Sequence, residues 1–380
     1  MKIGFNARFL VHPYTGIGVY TRRLVRALAE QYPDDTFLLF TPELVDVHLP
    51  ANCQQIRVQE RIFRSNSLQK AYWEHRLLPR AMEQHPLDLA HFLYPSNPRR
   101  ALPFPVVVTV HDVIPWVLKS YRKRWRTKAY YLYAKWALKY AQHVLTVSRF
   151  SMNEIIQIFS LPKKRLTVTP LGPPNSDGLP LKTPALRRPF LLYVGGYDDR
   201  KNVPLLMKVF QQFVANDHAV DLLLVGAEGK GLEQFYSDQY FQKIDKRYVL
   251  KPKGNIIATP PLPDDDLALL YQQAIGLVHL SKYEGFNLTL LAAMQAGLPM
   301  LLSDIPAHRE VADEAAWYVD LTDLDAIGQK MVELITHKKE RSELAHLGDE
   351  RLKSFSWESC AEKAYSVYKK ISNTQITNKP

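Results

Sequence analysis

The segment VHLSKYEGFNLTLLAAMQAGLPMLLSDIP, residues 278–306, contains the pattern that decides the fold. An apolar run stops at Ser281, a turn over residues 283–287 follows, and the next residues have the composition of a helix. That predicted helix ends at Gly297, and a second apolar run, residues 300–302, begins almost at once. A strand, a glycine-containing turn, a helix and another strand form one βαβ unit, which predicts an α/β fold with parallel strands.

The predicted helix in this segment is amphipathic, and its apolar face is formed by Leu288, Leu291, Ala292, Gln295 and Ala296. In open parallel sheets, ligands bind just outside the carboxyl ends of the strands. There the sequence places Glu284, Gly285 and the first turn of the helix, whose N–H groups suit an anion. We therefore predict a site in which a carboxylate binds a polyol and backbone amides bind a phosphate.

Strand-like and helix-like segments alternate through the chain with one interruption. In the first half the strand-like segments are residues 3–5, 37–40, 89–92, 106–110 and 144–147, with helical patterns over 19–30, 68–83 and 120–140. Residues 170–189 are rich in proline and polar residues, which is typical of an interdomain linker. In the second half the strand-like segments are residues 190–194, 222–225, 255–257, 276–280 and 300–302. We predict doubly wound α/β domains over residues 1–175 and 176–355, and a C-terminal helix within 356–380 that crosses back onto the first domain.

Length and composition fit two domains in a reducing compartment. The chain has 380 residues, of which 46% are hydrophobic, enough for two cores. Cys53 and Cys360 are isolated and lack metal-ligand spacing, which favours the cytoplasm. The first residues have the pattern of a strand rather than of a signal peptide, and no apolar run approaches the roughly 18 residues that span a bilayer. We therefore expect a cytoplasmic protein.

The net charge of +11 is unevenly distributed. Residues 1–175 contain 25 Lys and Arg against 11 Asp and Glu, whereas the remainder contains 24 against 27. One half is therefore basic and the other is close to neutral, which indicates that only one domain faces an anionic partner. Nucleic acid, an anionic membrane surface and a phosphorylated substrate are the candidates.

Two loops of the first half bring flexible or polar groups to the ends of predicted strands. Gly16 and Gly18, just before the predicted helix 19–30, would let a ligand approach the backbone, unless they form an ordinary turn. His111 follows the strand-like segment 106–110. It could bind a sugar hydroxyl, act as an acid or base, or bond to the backbone as a structural histidine.

Two loops of the second half have the residue types that bind phosphate and sugar. Gly196 precedes Arg200 and Lys201 at a predicted helix start. A guanidinium and an ammonium there suit a diphosphate, although a solvated turn is the simpler alternative. Glu284 lies beside a glycine, an aromatic residue and a helix start, and this neighbourhood favours a functional role over simple solvation.

Together these loops resemble the family 4 glycosyltransferases, which are retaining nucleotide-sugar enzymes of the GT-B fold. The resemblance spans nearly the whole chain and rests on Gly16–Thr21, His111–Pro115, Val147–Ser151, Val194–Gly196, Arg200–Asn202, Glu284–Phe286, Pro306–Val311 and Phe355–Glu358. It implies two Rossmann-like domains that face a central cleft. Residues 1–175 would bind the acceptor, and residues 176–355 would bind the nucleotide-sugar donor.

The resemblance also implies a role for each loop. Arg200 and Lys201 would bind the diphosphate, and His111 would contact the donor sugar. Glu284 would bind sugar hydroxyls, and residues 259–262 would line the base. The implied donor-binding residues are Gly16, Gly18, Gly196, Leu262, Gly285, Phe286, Asn287 and Leu288.

One position departs from the family pattern. The family has a second glutamate eight residues after the first, and that position is Ala292 here. In the family this residue bonds the ribose hydroxyls, which alanine cannot do. The loss of one charge-assisted hydrogen bond is worth about 1.5–3 kcal/mol. A catalytically silent nucleotide-sugar or glycan-binding protein of the same fold is therefore the alternative to an active enzyme.

The implied mechanism needs no carboxylate nucleophile, and the sequence shows no pair of acids of the kind that glycoside hydrolases use. The resemblance implies a front-face displacement in which the departing phosphate deprotonates the acceptor hydroxyl. Arg200 and Lys201 would stabilise the charge that develops on the diphosphate. We expect no cofactor and no requirement for a bound metal.

Residues 118–141 form a helical pattern with an apolar face and a basic flank. The face is Tyr121, Trp125, Ala129, Leu132, Trp136 and Tyr140, and the flank is Lys119, Arg122, Lys123, Arg124, Arg126 and Lys128. Such a face packs against a core or docks on anionic lipid. Nucleic acid is the rival partner, but no helix-turn-helix, zinc or RNA-binding motif supports it, and we expect none.

The sequence therefore predicts a cytoplasmic, retaining hexosyltransferase, which would lie at the inner face of the membrane if the basic helix binds lipid. We expect glucose from UDP-glucose as the first choice of donor and mannose from GDP-mannose as the second. The acceptor would be a glycan or a lipid-linked sugar in envelope or exopolysaccharide synthesis.

Overall fold

The computed structural model describes residues 1–13, 15–118, 125–174, 188–215, 217–226, 241–244, 247–250 and 256–376. The chain divides into two compact units. Unit 1 comprises residues 1–172 and 356–380, and unit 2 comprises residues 173–355. Most of the predicted linker, residues 175–187, lies outside the described residues.

Unit 1 contains a parallel sheet in the order β3-β2-β1-β4-β5-β6-β7. Its strands are β1 (Lys2–Asn6), β2 (Thr36–Thr41), β3 (Cys53–Arg57), β4 (Leu89–Phe92), β5 (Val106–Val110), β6 (His143–Thr146) and β7 (Leu166–Val168). The strand order reverses between β1 and β4, so these two strands flank the topological switch point of the unit. All five residues of β5 are buried, as expected for a parallel strand that is covered on both faces.

The helices of unit 1 cover this sheet. They are α1 (Gly16–Gln31), α2 (Asn66–Tyr72), α3 (Leu78–Glu83), α4 (Ile114–Val117), α5 (Trp125–Tyr140), α6 (Arg149–Phe159) and the C-terminal helix (Trp357–Ile376). A π-helical turn, Trp73–Leu77, joins α2 to α3. Short 3₁₀ turns follow β1 at Arg8–Val11 and precede β7 at Lys163–Arg165.

The C-terminal helix packs within unit 1, against α1. The rings of Tyr32 and Tyr365 stack with their centroids 3.5 Å apart. Deeper in the unit, the Tyr368 hydroxyl lies 2.7 Å from Nδ1 of His91, whose Nε2 lies 2.8 Å from the Thr109 hydroxyl. Burial lowers the pKa of His91 to about 3, so this imidazole is a neutral link between the sheet and the C-terminal helix.

Unit 2 contains a mixed sheet in the order β10-β11-β12-β9-β8-β13-β14-β15. Its strands are β8 (Phe190–Val194), β9 (Asp221–Val225), β10 (Phe241–Ile244), β11 (Arg247–Leu250), β12 (Ile256–Thr259), β13 (Gly276–His279), β14 (Met300–Ser303) and β15 (Ala316–Val319). Only the pairs β10–β11 and β11–β12 are antiparallel among the described strands. The switch point of unit 2 lies between β8 and β13.

The helices of unit 2 are α7 (Val203–Phe213), α8 (Asp264–Gln273), α9 (Leu288–Gln295), α10 (Pro306–Ala312), α11 (Leu324–Thr336) and α12 (Lys338–Leu352). A 3₁₀ turn, Asp199–Lys201, precedes α7. No helix within the described parts of the chain is both long and apolar enough to cross a membrane.

Three details of the predicted helices are wrong. First, α1 begins at Gly16, three residues before the predicted start, because Thr15 caps it by accepting a hydrogen bond from the Gly18 amide at 3.1 Å. Second, the predicted helix 68–83 contains the π-helical turn. Third, α9 is not amphipathic: residues 290–294 are all buried, whereas Gln295 is exposed. A helix that is covered on all sides shows no apolar stripe.

The core-packing alternative for the predicted apolar face of residues 118–141 is also wrong where its side chains are described. Leu132 and Trp136 are 56% and 43% exposed, whereas Ala134, Ala137 and Leu138 are buried. Alanines on the buried side let α5 lie close to the core, whereas Leu132 and Trp136 point outwards. The predicted helix start, residues 120–124, and the basic flank lie outside the described residues or side chains.

Candidate functional site

A buried cluster of charged groups lies at the switch point of unit 2. Arg200 and Lys201 lie in the loop after β8, and Glu284 lies in the loop after β13. The guanidinium Nη1 of Arg200 is 2.6 Å from Oε2 of Glu284, and Nζ of Lys201 is 2.6 Å from Oε1. Strand order therefore brings together three of the residues predicted from sequence, at the place where open α/β sheets bind ligands.

The Glu284 carboxylate is ionised in this cluster. Burial alone would raise its pKa, but the charges of Lys201 and Arg200 hold the pKa well below its usual range. The two cations differ in depth: the Lys201 side chain is 9% exposed and that of Arg200 is 21% exposed. Arg200 also lies 3.2 Å from the more exposed carboxylate of Asp198. Of the two cations, Arg200 is the better placed to meet a ligand.

A second layer of polar side chains fixes Glu284. The Ser281 hydroxyl donates to Oε1 of Glu284 at 2.7 Å and lies 2.9 Å from Nδ1 of His279. The Ser303 hydroxyl donates to the Ser281 carbonyl oxygen at 2.6 Å. All of these groups are buried, so the carboxylate has one orientation even without a ligand.

The turn between β13 and α9 is fixed by a buried histidine. Nδ1 of His308 lies 3.0 Å from the Ser303 carbonyl oxygen, which can only accept, so Nδ1 carries the proton. Nε2 of His308 then accepts from the Asn287 amide at 3.1 Å. Burial lowers the pKa of His308 to about 4, which keeps the imidazole neutral in this arrangement. Asn287 has φ of 79°, in the left-handed region, directly before the first residue of α9, Leu288.

The remaining predicted residues of this loop lie at the N-terminus of α9. Gly285 and Phe286 are buried, and the Phe286 ring packs edge-on against Phe355 with centroids 5.8 Å apart. The Phe286 side chain is therefore a packing group, which leaves the predicted contact with the donor to its backbone amide, as the resemblance implies. The N–H groups of the first turn of a helix have no carbonyl partner within the helix, which suits them to an anion.

The loop after β8 approaches the loop after β9 closely. A Cβ atom at Gly226 would lie 2.6 Å from the Gly195 carbonyl oxygen, and Gly226 has φ of +106°, so only glycine fits. The exposed Gly196 accepts a hydrogen bond at its carbonyl oxygen from the Tyr193 hydroxyl at 2.6 Å. The partly buried Leu262 follows β12, on the far side of β9 from this loop.

Two residues predicted to bind the donor, Gly16 and Gly18, lie in the first turn of α1 in unit 1, not in a loop. A Cβ at Gly18 would lie 2.2 Å from the His12 carbonyl oxygen, so the close approach is to the protein's own backbone. Nothing lies within 4 Å of a Cβ at Gly16.

The structural alternative for His111 is observed in unit 1. Its Nε2 lies 2.9 Å from the Leu93 carbonyl oxygen and therefore carries the proton. Burial lowers the pKa of His111 to about 4, and the ring meets Tyr20 edge-on at 4.7 Å. Because Nε2 donates to Leu93, only Nδ1 of this neutral imidazole is left for a ligand. Nδ1 carries no proton, so it could accept a hydrogen bond from a sugar hydroxyl but could not donate one.

Sequence comparison identifies the family to which this arrangement belongs. The model described as Glycosyltransferase Family 4 matches residues 14–173, and the one described as Glycosyl transferases group 1 matches residues 182–351. Together the matches cover most of the chain. The chain belongs to the family 4 glycosyltransferases. The family predicted from the loop motifs is thereby confirmed.

Relatives and solved structures agree with this assignment. O-antigen chain mannosyltransferase B of Escherichia coli is 29% identical over 393 residues, which covers 97% of this chain and all of that protein. Sucrose-phosphate synthase from Thermosynechococcus elongatus superposes with a TM-score of 0.75 at 20% identity, over 98% of this chain and 100% of the other. WaaG, a glycosyltransferase involved in lipopolysaccharide biosynthesis, superposes with a TM-score of 0.74 at 15% identity, over 97% and 99%. These superpositions confirm the predicted GT-B fold.

In this glycosyltransferase, the position that departs from the family pattern, Ala292, lies within α9. Ala292 is 8% exposed, and its methyl group offers no hydrogen bond. Within the described residues, no group of three His, Cys, Asp or Glu side chains is arranged to hold a metal ion.

Sequence reasoning missed the second layer of the glycosyltransferase site. His279, Ser281, Ser303 and His308 were not among the predicted site residues. One signal was available: Ser281 and Ser303 are polar residues at the carboxyl ends of two apolar runs, where polar groups face the ligand edge of a sheet. His308 lies in the motif Pro306–Val311 that carries the resemblance, but its role was not predicted, because its partner Asn287 is close only in the folded chain.

Proposed function

We propose that this glycosyltransferase moves mannose from GDP-mannose, with retention of anomeric configuration, to a glycan or lipid-linked acceptor in envelope polysaccharide synthesis. The observation that supports transfer is the buried cluster of Arg200, Lys201 and Glu284 at the switch point of unit 2. We place mannose before glucose because a relative that aligns along 97% of this chain is named a mannosyltransferase. UDP-glucose is the alternative donor.

Each member of the cluster has a distinct part in this proposal. Arg200 is the more exposed cation and would bind the diphosphate together with amides at the start of α9. Lys201 is buried beneath Glu284 and would keep that carboxylate ionised and in place. Glu284 could accept hydrogen bonds from sugar hydroxyls, because an ionised carboxylate has several lone-pair sites.

The transfer step is a front-face displacement. The bond between the anomeric carbon and the phosphate oxygen breaks, and the acceptor oxygen bonds to the same face of that carbon. The acceptor proton passes to the departing phosphate oxygen, so the protein need not supply a base. Negative charge grows on the diphosphate, and the Arg200 guanidinium and the amides of α9 would stabilise it.

Ala292 favours a second candidate, a catalytically silent binder of nucleotide sugars or glycans. Without a carboxylate at this position the ribose loses one strong hydrogen bond, worth about 1.5–3 kcal/mol. The silent protein and the enzyme would share the fold and the phosphate site, and they differ only in turnover.

Thermal unfolding with nucleotides, followed by a turnover assay, tests the proposal. The protein is heated with saturating GDP, UDP, ADP and their sugars, with and without a chelator. A ligand that binds only the folded state at 100 times its Kd stabilises it by about 2.7 kcal/mol. We expect stabilisation by GDP and GDP-mannose that survives the chelator, and release of GDP when a glycan acceptor is added. Stabilisation by UDP compounds alone would select the glucose alternative, and binding without release would select the silent protein.

A further inference from the structure

The buried histidine of α10 is bonded to both parts of the proposed donor site. One ring nitrogen of His308 lies against the strand end that leads to Glu284, and the other accepts from Asn287 at the start of α9. In the proposed function these two parts have different ligands, because Glu284 accepts from sugar hydroxyls and the α9 amides bind the diphosphate. A residue that is bonded to both parts fixes the spacing between them.

A chain of hydrogen bonds leads from His308 to the carboxylate. Nδ1 of His308 carries the proton and lies 3.0 Å from the Ser303 carbonyl oxygen and 3.2 Å from the Ser303 hydroxyl oxygen. That hydroxyl donates to the Ser281 carbonyl oxygen at 2.6 Å, and the Ser281 hydroxyl donates to Oε1 of Glu284 at 2.7 Å. These residues are buried, so water does not compete for the hydrogen bonds. We name Ser303, Ser281 and Glu284 the sugar arm.

A second set of contacts leads from His308 to the first turn of α9. Nε2 of His308 accepts from the Asn287 amide at 3.1 Å, and Oδ1 of Asn287 accepts from the Thr289 hydroxyl at 2.6 Å. Both ends of the Asn287 side chain are therefore bonded, while its backbone, with φ of 79° and ψ of 80°, has a conformation that costs energy for any residue other than glycine. The imidazole thus holds in place the residue that precedes the α9 amides. We name Asn287 and Thr289 the phosphate arm.

Helix α10 gives the imidazole a fixed position. At the start of the helix, the Arg309 guanidinium forms two hydrogen bonds of 2.8 Å with the Asp304 carboxylate. At its end, the Arg351 guanidinium donates to the carbonyl oxygens of Glu310 and Val311 at 2.6 and 3.0 Å, which satisfies carbonyl groups that have no partner within the helix. The imidazole is therefore attached to a helix that is bonded at both ends.

We propose that His308 is a positioning residue that couples the sugar arm to the phosphate arm, so that the carboxylate and the amides keep one spacing around the donor. It acts through Glu284 and Asn287. The proposal rests on the proposed function, because the ligand of each arm is part of that function. If His308 only stabilised the fold, its substitution would change the binding of all donor fragments alike.

Two substitutions of His308 each remove one arm and keep the other. The amide of His308→Asn takes the place of Nδ1 and can still donate to Ser303, but Asn287 loses its acceptor. The longer His308→Gln places an amide oxygen where Nε2 lay and can still accept from Asn287, but the bond to Ser303 is lost. Met331→Ala, in the core of unit 2 on α11, is the control for a loss of stability alone.

Calorimetric titration of the full chain with GDP and with GDP-mannose measures both arms. UDP and UDP-glucose replace them if those are the nucleotides that stabilise the wild type. We expect His308→Asn to raise the Kd of both ligands together, by at least about tenfold. In His308→Gln the Kd of GDP should stay within about twofold of the wild type, while the ratio of the GDP-mannose Kd to the GDP Kd rises at least about fivefold. Met331→Ala should lower the unfolding temperature and change neither Kd.

Two results would overturn the coupling. If both His308 variants changed the Kd of the two ligands by the same factor, or changed neither, His308 would have no positioning role, and the proposed function would remain. If the wild type bound no nucleotide or nucleotide sugar, the proposed function and the coupling would both be wrong. Asn287→Ala and Ser303→Ala break the same two arms away from the imidazole, and they repeat the comparison with the same expected split if a His308 variant does not fold.

Discussion

Glu284 accepts hydrogen bonds from three side chains. How deeply each of these partners is buried decides whether its substitution would mainly affect ligand binding or also lower the stability of the fold. Lys201 is almost fully buried, so its removal would leave a buried carboxylate with one cation fewer. Breaking a buried ion pair in this way costs about 3–5 kcal/mol. Replacing Lys201 would therefore mix loss of stability with loss of binding. Arg200 is the better probe of the phosphate role.

Arg200→Ala should weaken nucleotide-sugar binding by at least about a hundredfold, because a charge-assisted contact and the orientation of Glu284 are both lost. Calorimetric titration with GDP measures the effect. The control is Lys282→Ala, which removes a neighbouring cation whose 2.8 Å pair with Asp199 is exposed. The diphosphate role would be untenable if both variants bound GDP as the wild type does.

Ala292→Glu should restore the ribose contact that the family has at this position. The expected gain is about tenfold in nucleotide affinity, at the lower end of what a hydrogen bond to a charged group supplies. Ala292→Gln is the matched variant, which adds the same length without the charge and should gain less. Equal affinity for all three proteins would mean that other residues bind the ribose here.

His308 should make stability depend on pH. Its pKa is lowered by burial from 6.5 to about 4, so between these values the unfolded chain binds a proton at this imidazole and the folded chain does not. The free energy of unfolding therefore falls as the pH falls through this window, by at most about 1.4 kcal/mol per pH unit for this group. Denaturant unfolding from pH 6.5 down to about pH 5 measures the slope.

His308→Asn should remove the contribution of this imidazole, so that unfolding takes up close to one proton fewer in this pH window. This change in slope is expected whatever the substitution does to stability at neutral pH. A slope equal to that of the wild type would show that His308 is not neutral in the folded protein. Because the other buried histidines remain in the variant, the comparison isolates this one site.

Residue types at strand ends predicted which charged residues come together at the site, but not how they pair. Arg200 and Lys201 were expected to bind the diphosphate and Glu284 the sugar hydroxyls, and the structure shows both cations paired with Glu284. Contacts across 84 residues of sequence depend on strand order, which no local pattern contains. Ser281 and His279 were missed for the related reason that their function is to orient Glu284.

Among the helices, α1 contains two glycines whose substitution would affect stability for different reasons: steric contact in the folded state at one position, and flexibility of the unfolded chain at the other. A Cβ at Gly18 would collide with backbone carbonyls, whereas one at Gly16 meets nothing. Gly18→Ala should lower the free energy of unfolding by about 1–3 kcal/mol. Gly16→Ala should leave it unchanged or raise it by up to about 1 kcal/mol, because alanine restricts the unfolded chain. Chemical denaturation of both variants tests this, and equal effects would contradict it.

The elements that sequence patterns missed are mostly those with weak apolar patterns. β3 reads CQQIR and is an edge strand of its sheet, where only part of the strand is covered and polar residues are tolerated. β7 has three residues, too few for any periodicity. By contrast β5 and β8 are continuous apolar runs buried on both faces, and both were predicted. Burial on both faces thus explains which strands a single sequence reveals.

At the scale of the whole molecule, the uneven charge is the property that local structure does not explain. Residues 1–175 contain 14 more basic than acidic residues, and the remainder contains three more acidic than basic residues. The exposed Leu132 and Trp136 on α5 follow the basic run of residues 119–128 in sequence. Apolar side chains next to a basic cluster are typical of surfaces that bind anionic lipid, since each Lys or Arg near such a surface is worth about 1 kcal/mol.

Vesicle binding tests this expectation. Co-sedimentation with phosphatidylserine vesicles should be strong at low salt and should fall as salt shortens the Debye length from about 30 Å at 0.01 M to about 8 Å at 0.15 M. Charge reversal of Arg122, Lys123 and Arg124 to Glu should reduce binding at least about tenfold. Reversal of Lys208, Lys338 and Lys339 changes the net charge equally on exposed helix positions of unit 2, and should have little effect. If the two triple variants lost binding equally, the attraction would depend on net charge alone, and the basic run of residues 119–128 would have no special part in it.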